Sequence, residues 1–365
     1  MIGKNLKYYR QIAGLSQDKL AGIVGLSKMT ISNYENNKRD ADSDTVIKLA
    51  DALNIKASAL LINPTGSARI THAEFRKKSG MSLSSIDMVY EKVDRYLGRF
   101  HTILRVLGDA VLPTVPAIDK LPFTDIDESA SRMREYLSLS PTGPVGNIID
   151  TLENCGIIVC QIDIEDDHFS GINGTLNGRP YIAVNKSMTL ERQRFTLIHE
   201  LTHILFAFPA NINEEKTVDG ITGAFLFPKD DVIRELGYYR TNVRGELSAL
   251  QREYGISMQS ALIRAKQAGC ITGSIYEEHQ KWISKNGFIK KGISGEYIEY
   301  GDHIEHSTLF EKLVVRAVSE NMINISKASE LLELPHDSVR HLCGLDTHLC
   351  GLDTAETDTT DNMEE

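Results

Sequence analysis

Two histidines four residues apart, with a glutamate directly after the first, are the residues of this sequence best suited to chemistry. His199, Glu200 and His203 stand in the run 195–206, FTLIHELTHILF, which is mostly apolar and predicts a helix. Side chains at i and i+4 share one helix face, so both imidazoles can bind the same metal ion. Glu200 points elsewhere around the helix, where it can deprotonate a water on that metal without being a ligand. The pattern indicates a zinc hydrolase, and the flanking apolar residues are typical of an active-site helix inside a core.

The segment that follows the motif offers a third metal ligand, which a catalytic zinc site requires. Residues 213–228 predict a second helix, on which Glu215 and Asp219 are four apart and share a face. Glu215 then suits the third ligand, while Asp219 can orient a histidine through its outer ring nitrogen. Glu214 is the alternative ligand, although no acidic residue lies four positions beyond it. An acidic helix start also has a plain structural explanation, because carboxylates favour helix N-termini.

Three segments in this order resemble the ImmA/IrrE metallo-endopeptidase family: RFTLIHELTH at 194–203, the acidic helix that ends in AFLFP, and GISMQSALIRAK at 255–266. The resemblance covers residues 130–290. It implies a zincin-like α+β domain with a small sheet, a Zn²⁺ peptidase activity, and a helix-turn-helix repressor as the protein substrate. Two positions depart from the family pattern. Thr202 replaces the usual glycine before the second histidine, and 218–222 (VDGIT) replaces the usual Ala-Asn/Asp-x-Phe-Ala run.

The first 62 residues carry a second, independent pattern. Short amphipathic helices alternate with tight breaks, at 4–13, 17–24, 28–36, 44–53 and 57–61. Within them, 15–35 predicts a helix, a glycine turn and a second helix capped by Ser27. This segment resembles the lambda-repressor/Cro-like (XRE) helix-turn-helix. The resemblance implies an all-α domain that binds a double-stranded DNA operator, and the reading of half-sites by this motif favours a homodimer.

The second helix of this motif supplies the candidate DNA contacts. Lys28, Thr30, Ser32 and Asn33 lie on or near its outward face, where Asn33 suits adenine and the hydroxyls suit base edges or phosphates. Two further side chains, from the first helix of the domain and the start of the next, are expected to contact backbone phosphates: Arg10 and Gln17. A helical bundle that serves only protein contacts is the alternative.

Charge and composition limit the remaining possibilities. Residues 1–62 hold nine Lys/Arg against six Asp/Glu, a net charge of +3, whereas the whole chain carries −10. A basic domain on an acidic chain favours local rather than indiscriminate DNA binding. The 365 residues, 41% of them hydrophobic, predict two or three globular domains. No signal peptide and no apolar run of about 18 residues is present, so we expect a cytoplasmic protein without a membrane span. Five scattered cysteines favour reduced thiols.

The predicted organisation has five parts: the helix-turn-helix domain at 1–62, a linker with connecting helices at 63–125, the α+β peptidase domain at 126–290, a helical appendage at 291–345, and a disordered acidic tail at 346–365. Within these parts we expect a linker at 63–69, helices over 72–112, 126–139 and 142–153, strands at 156–163 and 179–185, and a turn at 171–174. The appendage has a helix–turn–helix pattern without a basic cluster, which favours a role in docking or oligomerisation over DNA binding. HLCGLDT occurs twice in tandem, at 341–347 and 348–354; its histidines and cysteines are weaker candidates for a metal site.

Together these patterns predict a DNA-binding regulator with a metallo-endopeptidase that depends on Zn²⁺, with Mn²⁺ as the alternative metal. The enzyme is expected to cleave a helix-turn-helix repressor, a partner or itself, and so to relieve repression. The alternative is a transcription factor whose peptidase-like domain senses a ligand or metal without catalysis. Tyr181 and Arg194 lie near the motif in sequence. The sequence is compatible with two roles for each of them, stabilisation of an oxyanion or packing. A Glu200→Gln variant separates the two hypotheses, because it should abolish proteolysis only in the first.

Overall fold

The computed structural model of the protein describes residues 2–62, 65–73, 81–116, 120–286 and 305–345. Contacts divide the chain into two compact units, the first made of Met1–Thr102 and Ala110–Ser307, the second of Ile103–Asp109 and Thr308–Glu365. The predicted acidic tail, and with it the second HLCGLDT repeat, lies outside the described residues. Across the described part of the chain, every helix is too short or too polar to cross a membrane.

Five helices form the N-terminal part of the first unit: α1 (Gly3–Ile12), α2 (Gln17–Val24), α3 (Lys28–Glu35), α4 (Ser43–Ala52) and α5 (Ala57–Leu61). Side-chain oxygens of Ser16, Ser27 and Asp42 accept backbone N–H bonds and so define the starts of α2, α3 and α4. Gly25 ends α2 in the left-handed region, at φ 70°, which lets α3 begin after a short turn. The predicted all-α domain is confirmed. Its helices share a core that includes Leu6, Leu20, Ile31 and Leu49.

A short strand and a long helix follow this domain: β1 (Ile70–His72) and α6 (Leu83–Leu107), with a 3₁₀ turn at Asp109–Val111. The strand is a correction, because the sequence predicted only a linker at 63–69 and helices over 72–112. Three residues carry too little pattern to indicate a strand, and β1 depends on a partner about 100 residues further along the chain. The apolar side chains that α6 buries include Val89, Val93, Leu97 and Phe100.

A four-stranded sheet forms the centre of the first unit. The strands that join β1 in this sheet are β3 (Ile158–Ile162), β4 (Gly171–Leu176) and β5 (Arg179–Asn185). The other elements of this region are, in chain order, β2 (Leu121–Pro122), α7 (Ile126–Tyr136), α8 (Ile148–Asn154), α9 (Leu190–Leu205) and β6 (Phe206–Ala207). The sheet order is β1-β4-β5-β3. Strand β4 is antiparallel to β1 and β5, whereas β3 is parallel to β5; β2 and β6 form a separate parallel pair.

Two local predictions in this region are wrong. Gly171 to Gly174 lies in strand β4, and the turn of the β4–β5 hairpin is Asn177-Gly178 instead, with φ of 51° and 89°. Asn-Gly is the residue pair that this left-handed two-residue turn prefers. The helix expected over 142–153 begins only at Ile148, because Gly143 is left-handed at φ 87° and Pro144 has no backbone N–H.

Five more helices complete the first unit: α10 (Glu214–Leu226), α11 (Lys229–Leu236), α12 (Arg244–Tyr254), α13 (Met258–Gln267) and α14 (Gly273–Lys285). Helix α9 lies on β4 and β5 and packs against α10, and α10 packs against α7. Their buried side chains form one core with β5, so the predicted α+β domain with a small sheet is confirmed. The second unit contains the end of α6 with α15 (Leu309–Ser319), α16 (Ile325–Leu332) and α17 (His336–Leu342).

Candidate metal centre and DNA-binding surface

Helices α9 and α10 bring the three predicted metal ligands together. The Nε2 atom of His199 lies 3.5 Å from Oε2 of Glu215, and Nε2 of His203 lies 3.5 Å from its Oε1. One ligand atom from each residue lies within 4.8 Å of the others. The two imidazoles project from successive turns of α9, whereas Glu215 stands in the first turn of α10. The contact between these helices therefore creates the cluster.

Two further carboxylates bind the outer nitrogens of the histidines. Nδ1 of His199 lies 3.0 Å from Asp219, and Nδ1 of His203 lies 3.2 Å from Glu214. An ionised carboxylate only accepts hydrogen bonds, so each Nδ1 carries the proton and each Nε2 keeps its lone pair. The Nε2 lone pairs are directed towards Glu215. Glu214, which the sequence left open as a rival ligand, occupies the orienting position on His203.

The catalytic candidate Glu200 is held by the sheet. Its Oε2 accepts a hydrogen bond of 2.7 Å from the side-chain amide of Asn173, in the middle of β4. Gly171, on the same strand, faces α9 closely, since a Cβ at Gly171 would lie 2.4 Å from a methyl carbon of Thr196 and 3.6 Å from Glu200 Cγ. The absence of a side chain at Gly171 therefore lets β4 approach the motif helix.

The surroundings of His203 favour a neutral imidazole. Burial, followed by the nearby His199, lowers the pKa of His203 below its ordinary value. A neutral ring is the form that binds a metal ion. Both histidine side chains are mostly buried, while Glu215 is about half exposed, so the cluster opens to solvent on the α10 side.

The two departures from the family pattern fit the structure without disturbing the cluster. Thr202 is fully buried, and its hydroxyl donates to Ile198 O at 2.7 Å one turn earlier, on a side of α9 that contacts Met133 of α7. Gly220 in the second departure packs against Ile126, where a Cβ would lie 2.8 Å from Cδ1. Both residues serve the packing of α7 against its neighbours.

Tyr181 and Arg194 are packing residues in this fold. Tyr181 pairs with Gly174 across the β4–β5 ladder, one residue after Asn173, and successive strand residues point to opposite faces. Its hydroxyl consequently lies on the sheet face opposite to Glu200, 2.5 Å from Nδ1 of His72. Arg194 is fully buried.

The guanidinium of Arg194 is occupied by other parts of the first unit. It forms an ion pair with buried Glu305 and donates to the backbone oxygens of Val145 and Gly146 at 2.7 and 2.8 Å. These partners anchor the start of α8 and the segment at 305–307 onto α9. Neither Arg194 nor Tyr181 is therefore placed to stabilise an oxyanion at the cluster.

Among the predicted DNA-contacting side chains of the helix-turn-helix, one is exposed, four are half-buried and one is buried. Lys28 is exposed and pairs with Asp18 of α2 at 2.7 Å, while Thr30, Ser32 and Asn33 are half-buried along α3. Met29 beside them is 73% exposed. Gln17 occupies the first position of α2, and its side-chain amide donates to Glu35 at 2.7 Å.

Arg10 differs from the expectation of a phosphate contact. Its guanidinium forms two bonds to the Glu35 carboxylate, at 2.5 and 3.0 Å, and one to Leu15 O at 2.7 Å. The side chains of Arg10 and Glu35 are 11% and 3% exposed. Because these partners use the guanidinium inside the domain, we assign Arg10 to the stability of the α1–α3 contact and remove it from the DNA-contacting set. Sequence reasoning missed Glu35 as the partner, and a buried arginine resembles a surface one in sequence.

Comparison with known proteins identifies two segments. Residues 6–60 match the helix-turn-helix family, and residues 153–266 match the IrrE N-terminal-like domain. The chain thus belongs to the XRE-type helix-turn-helix family and also carries an ImmA/IrrE-like peptidase domain. No solved structure matches the chain significantly.

Several curated proteins are similar to short parts of the chain. The HTH-type transcriptional regulator ImmR of Bacillus subtilis is 40% identical over 60 residues, which are 16% of this chain and 47% of ImmR. Control protein C.SmaI of Serratia marcescens is 39% identical over 61 residues, 17% of this chain and 73% of that protein. Antitoxin PezA of Streptococcus pneumoniae is 30% identical over 91 residues, 23% and 58% of the two chains. The chain therefore spans about half the length of ImmR, and each relative informs only a short part of it.

Proposed function

We propose that this protein is a transcriptional regulator that binds operator DNA through α2 and α3 and carries a metal-dependent endopeptidase. The observation that supports the enzyme most strongly is the convergence of His199, His203 and Glu215, with a carboxylate on the outer nitrogen of each histidine. Three ligands of this kind with oriented imidazoles are the donor set of catalytic zinc sites. The substrate is a helix-turn-helix repressor, either a partner protein or this chain itself.

The spacing of the donor atoms fits a tetrahedral ion. Ligands at about 2.0–2.1 Å from zinc lie about 3.3 Å from one another, and both Nε2-to-oxygen distances are 3.5 Å. The same two imidazoles and one carboxylate also suit Mn²⁺ as a substitute.

The residues around the cluster divide the hydrolysis between them. A bound Zn²⁺ supplies Lewis acidity and lowers the pKa of a water molecule towards neutrality. Glu200 accepts the proton of the attacking water and returns it to the leaving amine. Asn173 holds one oxygen of this carboxylate, and thereby directs the other towards the reacting atoms. Asp219 and Glu214 keep the histidines in the productive tautomer.

The DNA-binding proposal concerns one face of the helix-turn-helix. Lys28 contributes charge at the start of α3, and Thr30, Ser32 and Asn33 supply hydroxyl and amide groups along it. Gln17 at the first position of α2 contributes a phosphate contact, since helix N-termini attract anions. Two copies of the chain would read two half-sites of an operator, which makes a homodimer the proposed DNA-binding form.

The test compares wild type with Glu200→Gln, each loaded with Zn²⁺ or Mn²⁺, alone and with a helix-turn-helix protein encoded beside it. Intact-mass spectrometry should detect metal-dependent fragments with wild type only, while metal content and operator binding stay equal in both proteins. Wild type that holds its metal and cuts nothing in any mixture would contradict the peptidase, and would favour a regulator whose peptidase-like domain acts as a sensor.

A further inference from the structure

Strand β4 presents an edge that suits an extended peptide next to the proposed catalytic glutamate. Asn173 of β4 donates its side-chain amide to Glu200, so its backbone is the part of the sheet directly beside that carboxylate. On the other side β4 pairs with β5, which leaves one edge of β4 for a further strand. An extended peptide can add to a sheet edge through main-chain hydrogen bonds, with little dependence on its sequence.

The chain fills this edge with its own residues. Strand β1 pairs antiparallel with β4, with Ile70 opposite Leu176 and His72 opposite Gly174. The ladder continues beyond β1, because Ala73 N donates to Asn173 O at 2.8 Å. The Ala73 amide therefore bonds to the same residue whose side chain holds Glu200. A peptide bound to this edge would need that bonding position.

The contacts of β1 are those of a strand that can be displaced. Ile70 and His72 are half-buried and Thr71 is exposed, so none of the three is a fully buried core residue. Besides the ladder, β1 is attached through the side chains of Thr71 and His72, and the His72 ring also contacts the ring of Tyr90 in α6, with centroids 4.6 Å apart. Thr71 and Thr175 bond through their hydroxyls at 2.7 Å, and the His72 ring bonds to Tyr181 and to Asp94 of α6.

The position of β1 in the chain connects it to the DNA-binding domain. The strand follows that domain directly, and α6, which holds His72 through Asp94, also contacts α1. Arg95 of α6 donates to Asn5, and its guanidinium lies 3.9 Å from the ring centre of Tyr8. A change in the packing of α1 against α6 would therefore alter the contact between Asp94 of α6 and His72 of β1.

We propose that β1 is an intramolecular occupant of the peptide-binding edge of β4, and that a polypeptide substrate reaches Glu200 only after β1 leaves that edge. This inference rests on the proposed peptidase and adds its regulation. The chain would be latent while the segment after its helix-turn-helix stays paired with β4. Release of β1 would open the edge without rearranging the metal ligands, which lie on α9 and α10.

A reversible lock tests this proposal in the full-length chain. Thr71 and Thr175 stand directly opposite each other, a separation that a disulfide can bridge. In a T71C/T175C variant, oxidation should hold β1 in place, and a phosphine reductant should restore the reversible pairing of β1 that the wild type has. The probe is a fluorescein-labelled peptide with the sequence of residues 66–73, GSARITHA, added to zinc-loaded protein that also carries Glu200→Gln, so that binding is read without cleavage.

We expect the peptide to bind the reduced lock variant and to lose binding when the same protein is oxidised. Ala73→Pro, which removes the N–H bonded to Asn173, should raise peptide affinity about fivefold, because one backbone hydrogen bond of β1 is lost. Ala73→Ser keeps that N–H and is the matched control. Binding that is equal in oxidised and reduced protein, or absent from the Ala73→Pro variant, would overturn the proposal.

Cleavage assays distinguish this proposal from the proposed function. With Glu200 intact, a mixture of casein peptides should be cut by the reduced lock variant and spared by the oxidised one, while wild type responds equally under both conditions. Absence of cleavage in every protein, together with lock-dependent peptide binding, would refute the peptidase and leave the edge as a peptide-binding surface. Equal cleavage by the oxidised and the reduced lock variant would refute the proposed role of β1 and leave the proposed peptidase in place.

Discussion

Replacing Glu215 and Glu214 one at a time by glutamine should separate a metal ligand from a residue that orients a ligand. The oxygens of Glu215 lie 3.5 Å from Nε2 of both histidines, whereas Glu214 lies 3.2 Å from the outer nitrogen of His203. Both glutamates stand in the first turn of α10 and both are partly exposed. The two substitutions remove the same charge from neighbouring positions, so each variant is the control for the other.

The expected magnitudes follow from these roles. Loss of an orienting carboxylate lowers metal affinity by about 10–100-fold, or about 1.4–2.7 kcal/mol. Glu214→Gln should fall in that range, and so should Asp219→Asn, which removes the corresponding partner of His199. Glu215→Gln should exceed it, because one of three protein ligands is replaced by a neutral amide. Competition titration of zinc against a chromophoric chelator measures all three, with circular dichroism to confirm that each variant is folded.

The order of the zinc affinities of the variants distinguishes a metal ligand from an orienting residue. If Glu214→Gln weakens zinc binding more than Glu215→Gln, the assignment of ligand and orienting residue is reversed. If all three variants bind zinc as wild type does, the cluster is not the metal site, and the acidic start of α10 serves the helix alone.

Three further outcomes test the surrounding structure. Arg10→Met should destabilise the N-terminal domain by about 3–5 kcal/mol in urea unfolding, since it leaves the buried Glu35 carboxylate without its ion-pair partner, whereas Lys28→Met at an exposed ion pair should remain close to wild type. Lys28→Ala should weaken operator binding and lower the slope of log affinity against log salt by about one; an unchanged slope would remove Lys28 from the phosphate contacts. Gly174→Ala should cost about 1–3 kcal/mol, because its Cβ would lie 2.0 Å from the backbone oxygen of the neighbouring β1 strand, while Gly22→Ala in open space on α2 should stabilise by about 0.5–1 kcal/mol; equal unfolding midpoints for these two would contradict the close approach.

The parts of this protein that depend on residues close in sequence were predictable. A spacing of four on a helix places His199 beside His203, and Glu215 one turn before Asp219, whatever surrounds them. The serine caps and the left-handed glycine likewise determine the starts of α2 and α3 locally. The resemblance in three ordered segments also predicted that the helix of His199 and His203 and the helix of Glu215 belong to one peptidase domain.

The tertiary structure alone decided which distant residues meet. Glu214 became the partner of His203, Asn173 the partner of Glu200, and Arg10 a buried ion-pair residue, because each of these contacts joins separate elements of the fold. Strand β1 is the clearest case. Its three residues have no stabilising pattern of their own, and they form a strand only because β4 offers unpaired backbone groups at its edge.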